Sequence, residues 1–279
     1  MHIILLLFFF TTLISNEFVT ITILAKDKSH CLPLYLFCIE NQTYPKKLTN
    51  LYIRTNNNND TTAQMLREWI KKVGQEYAHI YFDDSDVPQN IQQYKQHEWN
   101  YERFKVLGKI RQDSIQWAID KNSHYFVVDC DNFIFPFTLE SLFDANLPIV
   151  APLLYSNNAY SNFHANIDAN GYCWNSPLYL PILNREIKGL IQMPVVHCTY
   201  FIRKEILPLM TYDDNSYRYE YVIFSDNARK KNIPQYLDTR EIYGYLTLAE
   251  NTNELIKESW FLKFSTQLHA YLKDQETYS

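Results

Sequence analysis

The chain has 279 residues, 47% of them hydrophobic and 20% charged, a globular balance that excludes a disordered or fibrous protein and leaves ample chain for a full core. A formal charge of -5 gives no electrostatic footprint for a phosphate backbone, so nucleic acid is not an expected partner. Five dispersed glycines exclude the clustered-glycine signatures of a dinucleotide fold, a P-loop or a nucleophile elbow.

Residues 3–10 form an unbroken apolar run, about the length of a signal-peptide core and short of the ~20 residues that a spanning helix needs. Residues 1–16 are therefore expected to be a signal peptide or short hydrophobic leader. That places the chain in the endoplasmic reticulum lumen or outside the cell, with membrane association only through an uncleaved leader; a leader that is no signal leaves it in the cytoplasm. The sequons Asn41-Gln42-Thr43 and Asn59-Asp60-Thr61 matter only on the secretory route. The five cysteines form no C-x-x-C pair, which argues against a structural zinc site.

Residues 18–25 are β-branched and apolar on both faces, the pattern of a central strand in a covered parallel sheet. A helix is expected over residues 32–40, with Ser29 as N-cap and Pro33 in its first turn. Residues 51–53 read as a second strand, and Asp60 or Thr61 caps a helix reaching residue 72, with Met65, Leu66, Trp69, Ile70 and Val73 on one face. A strand over 78–82, a long helix over 99–120 and a strand over 125–128 follow. This alternation predicts an α/β fold, an open and mostly parallel sheet covered by helices on both faces, with ligands at the carboxyl ends of the strands. Further strands are expected over 147–152 and 195–203, a helix over 222–231 and an amphipathic tail helix over 253–271. Neither linker nor repeat interrupts residues 17–279, which are expected to form a single domain.

The chemistry concentrates in Val127-Val128-Asp129-Cys130-Asp131-Asn132. A buried strand cannot hold two unpaired carboxylates, so Asp129 and Asp131 are expected at its rim, on the same side at period 2. There they can share a hard divalent cation through oxygen ligands, and such a cation neutralises a diphosphate leaving group.

At these residues the chain resembles the procollagen galactosyltransferases and the related cerebral endothelial cell adhesion protein, relatives of glycosyltransferase family 25, in their amino-terminal domain of GT-A type. The likeness runs from Leu24-Ala25-Lys26 and Leu32-Pro33-Leu34-Tyr35-Leu36 through Asp60-Thr61-Thr62, Met65-Leu66 and Trp69. It continues in Trp99-Asn100-Tyr101-Glu102-Arg103, Arg111-Gln112, Asp129-Cys130-Asp131-Asn132 and Leu147-Pro148-Ile149-Val150-Ala151-Pro152-Leu153-Leu154. Tyr160-Ser161-Asn162-Phe163, Pro194-Val195-Val196-His197 and Tyr243-Gly244-Tyr245 complete it. The likeness covers that domain nearly whole and stops before the second glycosyltransferase domain of the collagen enzymes.

The resemblance implies a GT-A-like nucleotide-diphospho-sugar transferase fold, a UDP-sugar donor with galactose as the expected hexose, and Mn²⁺ or another divalent cation at Asp129 and Asp131. It further implies a hydroxyl acceptor, the hydroxylysine of collagen-like protein, or a glycan. Asp131 is the firmer metal ligand, Asp129 a ligand or a contact to the ribose, and His197 a further ligand or diphosphate contact. Lys26 and Arg111 are candidates to meet phosphate charge. Two departures stand out. The family's acidic pair falls on Tyr219-Glu220, leaving Glu220 as the candidate base for an inverting transfer. The family's acidic nucleotide contact falls on Asn56, with Asp60 as a possible compensation. Trp99, Tyr160, Phe163, Tyr172 and Trp174 are candidates for a sugar or peptide platform, with core packing as the competing explanation. The missing acidic partner also leaves open a non-catalytic glycan- or collagen-binding adhesion module, and the donor alternative is UDP-glucose.

Overall fold

The computed structural model describes residues 17–94 and 98–278; the expected leader, residues 1–16, lies outside the described residues. β1 (Val19–Ala25), β2 (Thr49–Thr55), β3 (His79–Asp83) and β4 (His124–Val128) are linked by α1 (Leu32–Glu40), α2 (Thr62–Val73) and α3 (Tyr101–Asp120). β5 (Asn132–Ile134), α4 (Thr138–Asp144), β6 (Ile149–Pro152), β7 (Leu154–Tyr155), β8 (Phe163–His164), α5 (Tyr179–Leu183) and β9 (Leu190–Met193) follow. The remainder is β10 (Val195–Val196), β11 (Thr199–Ile202), α6 (Glu220–Lys230), β12 (Gln235–Asp238), β13 (Gly244–Leu246), α7 (Thr252–Leu255) and α8 (Phe261–Tyr278).

Eight strands form one sheet in the order β3, β2, β1, β4, β11, β6, β12, β9. Its first four strands are parallel. β11 then runs antiparallel between β4 and β6, β12 pairs parallel with β6, and β9 closes the edge antiparallel. The α/β sheet expected from the alternation is therefore present, parallel in its first half and mixed in its second.

Strand alternation divides the core between the two faces. Phe126 and Val128 of β4 join Leu36, Leu66, Leu142 and Phe264 beneath α1, α2, α4 and α8. Tyr125 and Val127 join Ile115, Ala118, Phe224 and Ala228 beneath α3 and α6. Helices thus cover both faces. Asp129, two residues beyond Val127, emerges on the α3 side.

Local chemistry sets the helix starts. Asn100 caps α3, its side chain accepting from the Arg103 N–H at 3.1 Å, as a β-region N-cap does. Ser29 does not cap α1: Cys31 stands at the N-cap without a side-chain bond. A backbone turn does this work instead, with the Lys28 carbonyl accepting from the N–H groups of Cys31 and Leu32. Asp60 accepts from the Thr62 N–H at the head of α2 and from the Ser29 N–H, so it braces this turn rather than substituting for an acidic residue at position 56.

Two expected elements are divided. Residues 195–203 form β10 and β11, separated at His197 and Cys198, and the tail over 253–271 is broken between α7 and α8. Trp260, Phe264 and Leu268 still pack into the core, whereas Leu262 faces outward. Gly244 admits no side chain, because a Cβ there would stand 2.0 Å from the Phe133 carbonyl oxygen. That contact lets β13 lie tightly on β5 beside the Asp129–Asp131 turn. No described helix is long and apolar enough to cross a membrane.

Candidate active site

The carboxyl ends of β1, β2 and β4, the inner face of α3 and the start of α6 enclose a cleft of about 340 Å³. Lys26, Asn56, Arg111, Asp129, Asp131, His197 and Glu220 all line it, although they are scattered over almost 200 positions of sequence. The cleft lies where an open α/β sheet places its ligands.

Asp129 continues the alternation of β4 to the α3 side, and a turn brings Asp131 into the same cleft. β4 ends at Val128, and the Asn132 N–H bonds back to the Asp129 carbonyl at 2.9 Å. The turn is pinned from both sides, because the Asp129 N–H donates to the Cys198 carbonyl and the Thr247 N–H donates to that of Asp131. Arg111 Nη2 donates to Asp129 Oδ1 at 2.8 Å, and Lys28 Nζ donates to Asp131 Oδ2 at 2.8 Å. The two carboxylates keep about a quarter of their side-chain surface exposed, 25% and 24%.

Arg111 is the electrostatic centre of the cleft floor. Its Nε stands 3.5 Å from Glu220 Oε1, and both side chains are at least nine-tenths buried. Burial works against the Arg111 charge, but Asp129, Tyr200 and Glu220 outweigh it and hold the guanidinium above its ordinary range. Burial also pushes Asp129 up against the pull of Arg111. It pushes the Glu220 carboxyl up to about 7, again with Arg111 opposing. Glu220 Oε2 is sealed in the cleft wall without a hydrogen-bond partner, so a ligand reaches it only if that wall gives way. The approach of α6 to α3 depends on Gly108, where a Cβ would meet Glu220 Cβ at 3.1 Å and the Tyr212 carbonyl at 3.2 Å.

His197 enters the wall through a tight turn. The Thr199 N–H bonds to the His197 carbonyl at 2.7 Å around Cys198, whose φ is +64°, a backbone region costly for a residue with a side chain. The ring packs beside His164, Tyr160 and Tyr221, and burial holds it neutral, well below the ordinary histidine range. Its Nε2 is sealed and without a partner. Among the described residues no group of three or more His, Cys, Asp and Glu side chains gathers as a metal-holding cluster. Asp129, Asp131 and His197 therefore share a cleft without forming a three-ligand set.

The chemistry of the donor set still suits a hard cation, which takes carboxylate oxygens from protein and fills its shell with water and phosphate oxygens. Two carboxylates on one turn, each about a quarter exposed, are an appropriate protein share.

The remaining candidates divide. Lys26 lines the cleft, but its ammonium bonds to Asp27. Asn56 is buried, its amide donating to Asn57 Oδ1 at 2.9 Å. Trp99 and Tyr160 reach the cleft; Phe163 is core, Tyr172 packs on Tyr219, and Trp174 faces outward. Lys28, Arg54 and Arg103 line the cleft as well and were not singled out from the sequence. Arg103 stacks over the Trp99 ring at 4.3 Å, and its place one turn into a capped helix was the available signal.

The domain profile of glycosyltransferase family 25, N-terminal domain, matches residues 16–261. The chain belongs to this family. It is 32% identical over 264 residues to human procollagen galactosyltransferase 2, covering 91% of this chain and 42% of that protein. It is also 30% identical over 251 residues to mouse inactive glycosyltransferase 25 family member 3, covering 86% of this chain and 42% of the relative. The chain thus spans less than half the length of these relatives. Among solved structures, Staphylococcus aureus TarS residues 1–349 superposes with a TM-score of 0.55 at 13% identity, over 83% of this chain and 60% of that one. Its complex with UDP-GlcNAc superposes at 0.52 and 15% identity, over 84% and 59%. These likenesses establish the GT-A-like fold that the family resemblance implied.

Proposed function

We propose that the cleft binds a UDP-hexose, with galactose the favoured sugar, and transfers the hexose to a hydroxyl of a collagen-like protein or glycan, hydroxylysine being the favoured acceptor. One observation carries this reading: two carboxylates on one turn, Asp129 and Asp131, share a cleft with the cations Lys28 and Arg111 and with a buried Glu220 whose carboxyl titrates at about 7. The names of the family 25 relatives, procollagen galactosyltransferase 2 among them, support the galactosyl donor and the collagen acceptor. The leader pattern supports a secretory location.

Asp129 and Asp131 would hold Mn²⁺ or a similar cation. Bound there, that cation would supply charge neutralisation for the leaving diphosphate. Arg111, fixed between Asp129 and Glu220, keeps the Asp129 carboxylate in place and adds positive potential to the floor. Asn56 and Arg54 lie on the side of β2, where the nucleoside would rest, and Trp99 with Arg103 closes that side against water. Glu220 accepts the proton of the attacking hydroxyl, a role that suits a carboxyl raised to about 7. His197 contributes to cation or diphosphate only if the wall formed with Tyr160 and Tyr221 opens.

A second reading has its own observation. Both carboxylates already carry protein cations at 2.8 Å, and one relative is named inactive, so a module that binds glycan or collagen without turnover is the alternative. UDP release separates the two. Incubated with Mn²⁺ and a panel of UDP-sugars, the full chain is expected to release UDP from one donor, faster with a hydroxylysine peptide and not in Asp131→Asn. Silence from folded protein across the panel would favour the binding module. Release from UDP-glucose alone would reassign the donor.

A further inference from the structure

Lys28 is held in an unusual way for a lysine in a loop. Its N–H donates to the Thr62 hydroxyl at 2.7 Å, and its carbonyl accepts the first two N–H groups of the α1 turn. Both neighbouring elements therefore fix its backbone, and its side chain, only 15% exposed, runs inward to Asp131. Lys26, two residues earlier, turns away to Asp27. This lysine is built into the cleft.

The two pairs on the Asp129–Asp131 turn differ in kind. Arg111 is a rigid fork, 4% exposed and held between two carboxylates, so it cannot leave Asp129 without stranding Glu220. Lys28 is a point charge on a flexible stem that makes one bond to Asp131. A cation that arrives at this turn meets an immovable partner at Asp129 and a displaceable one at Asp131.

We propose that Lys28 is a built-in counter-ion of Asp131 which a divalent cation must displace, so that this chain resists metal loading until a donor diphosphate is present to receive the released ammonium. The inference rests on the reading that Asp129 and Asp131 hold the cation. Without donor, Lys28 occupies the site electrostatically and keeps metal affinity low. With donor, the ammonium moves to phosphate oxygens at the same cleft wall, and metal and donor bind cooperatively.

The test is calorimetric titration of Mn²⁺ alone into the full chain, the variants Lys28→Met and Lys28→Gln, and Lys28→Met combined with Asp131→Asn. Circular dichroism and the thermal midpoint check folding. Either folded lysine variant is expected to bind Mn²⁺ about tenfold tighter than wild type or better, and the gain should vanish when Asp131→Asn is added. Added UDP should tighten Mn²⁺ binding more in wild type than in Lys28→Met. Equal Mn²⁺ affinity in wild type and both lysine variants would overturn the counter-ion role while leaving the cation site standing. No Mn²⁺ binding by any form that still binds UDP would overturn the cation site and this inference together. Unfolding of both lysine variants would make the pair structural and likewise overturn it.

Discussion

The two faces of the central sheet are built from the same strands but have different contents. Under α1, α2, α4 and α8 the face is apolar, with Phe126, Val128, Leu142 and Phe264 packed together. Under α3 and α6 the apolar cluster gives way, toward the strand ends, to Arg111, Asp129 and Glu220, and beside it the hydroxyls of Tyr200 and Tyr212 bond to each other. The first face carries stability by burial of area, whereas the second places costly buried charge beside a cleft. Buried charge of this kind is poor evidence for stability and better evidence for a site.

Substitutions that affect only one face sharpen this contrast. The largest effect is expected from Asp131→Asn, which should lower UDP release by roughly 10²-fold or more, the scale of losing a group that faces developing charge, from protein that remains folded although its thermal midpoint falls as Lys28 loses its counter-charge. Phe264→Ala on the opposite face should do the reverse: urea unfolding should show a loss of about 3–5 kcal/mol, while turnover per folded molecule stays at the wild-type value. If Phe264→Ala lowered turnover of the folded fraction as strongly as Asp131→Asn, the division between the faces would fail.

Gly108→Ala tests how closely the two helices of the second face must approach. Alanine gains about 1 kcal/mol of helix propensity over glycine, but its Cβ meets a backbone carbonyl at 3.2 Å and Glu220 Cβ at 3.1 Å. α6 must shift, so kcat should fall up to about 10²-fold as Glu220 is misplaced, with little change in the urea midpoint. Unchanged kcat would show that the close approach at Gly108 does not set the position of Glu220.

The smallest effect is a pH dependence of stability. Glu220 titrates at about 7 in the folded protein against an ordinary 4.5. Below about pH 4.5 both states are protonated there; as pH rises toward about 7 the unfolded chain has lost a proton that the folded one keeps, so stability falls. Glu220→Gln escapes this penalty. Its thermal midpoint should gain on wild type as pH rises from about 5 to about 8, and a constant difference would show that burial does not raise this carboxyl.

Much of this arrangement is legible in the sequence because burial leaves periodic marks. β1 is β-branched along most of its length and β4 is largely apolar, and Asp129 with Asp131 follows an apolar strand where no unpaired carboxylate could stay. The direction of β11 left no mark, since a strand buried on both faces reads alike parallel and antiparallel. Lys26 was the expected phosphate contact and Lys28 is the residue on Asp131, because residues 26–31 form a turn in which no period tells which side chain points inward. The split at Cys198 was equally hidden, as no glycine announces its positive φ. Among the aromatic residues, composition alone could not separate Trp99 and Tyr160 at the cleft from Phe163 in the core.

The central claim is hexose transfer by this cleft, and the most direct measurement is mass spectrometry of a hydroxylysine-containing collagen peptide incubated with the full chain, UDP-galactose and Mn²⁺. The account predicts a peptide heavier by one hexose on hydroxylysine with wild type and an unmodified peptide with Asp131→Asn. An unmodified peptide with folded wild type that binds UDP-galactose, or equal modification by both proteins, would contradict it.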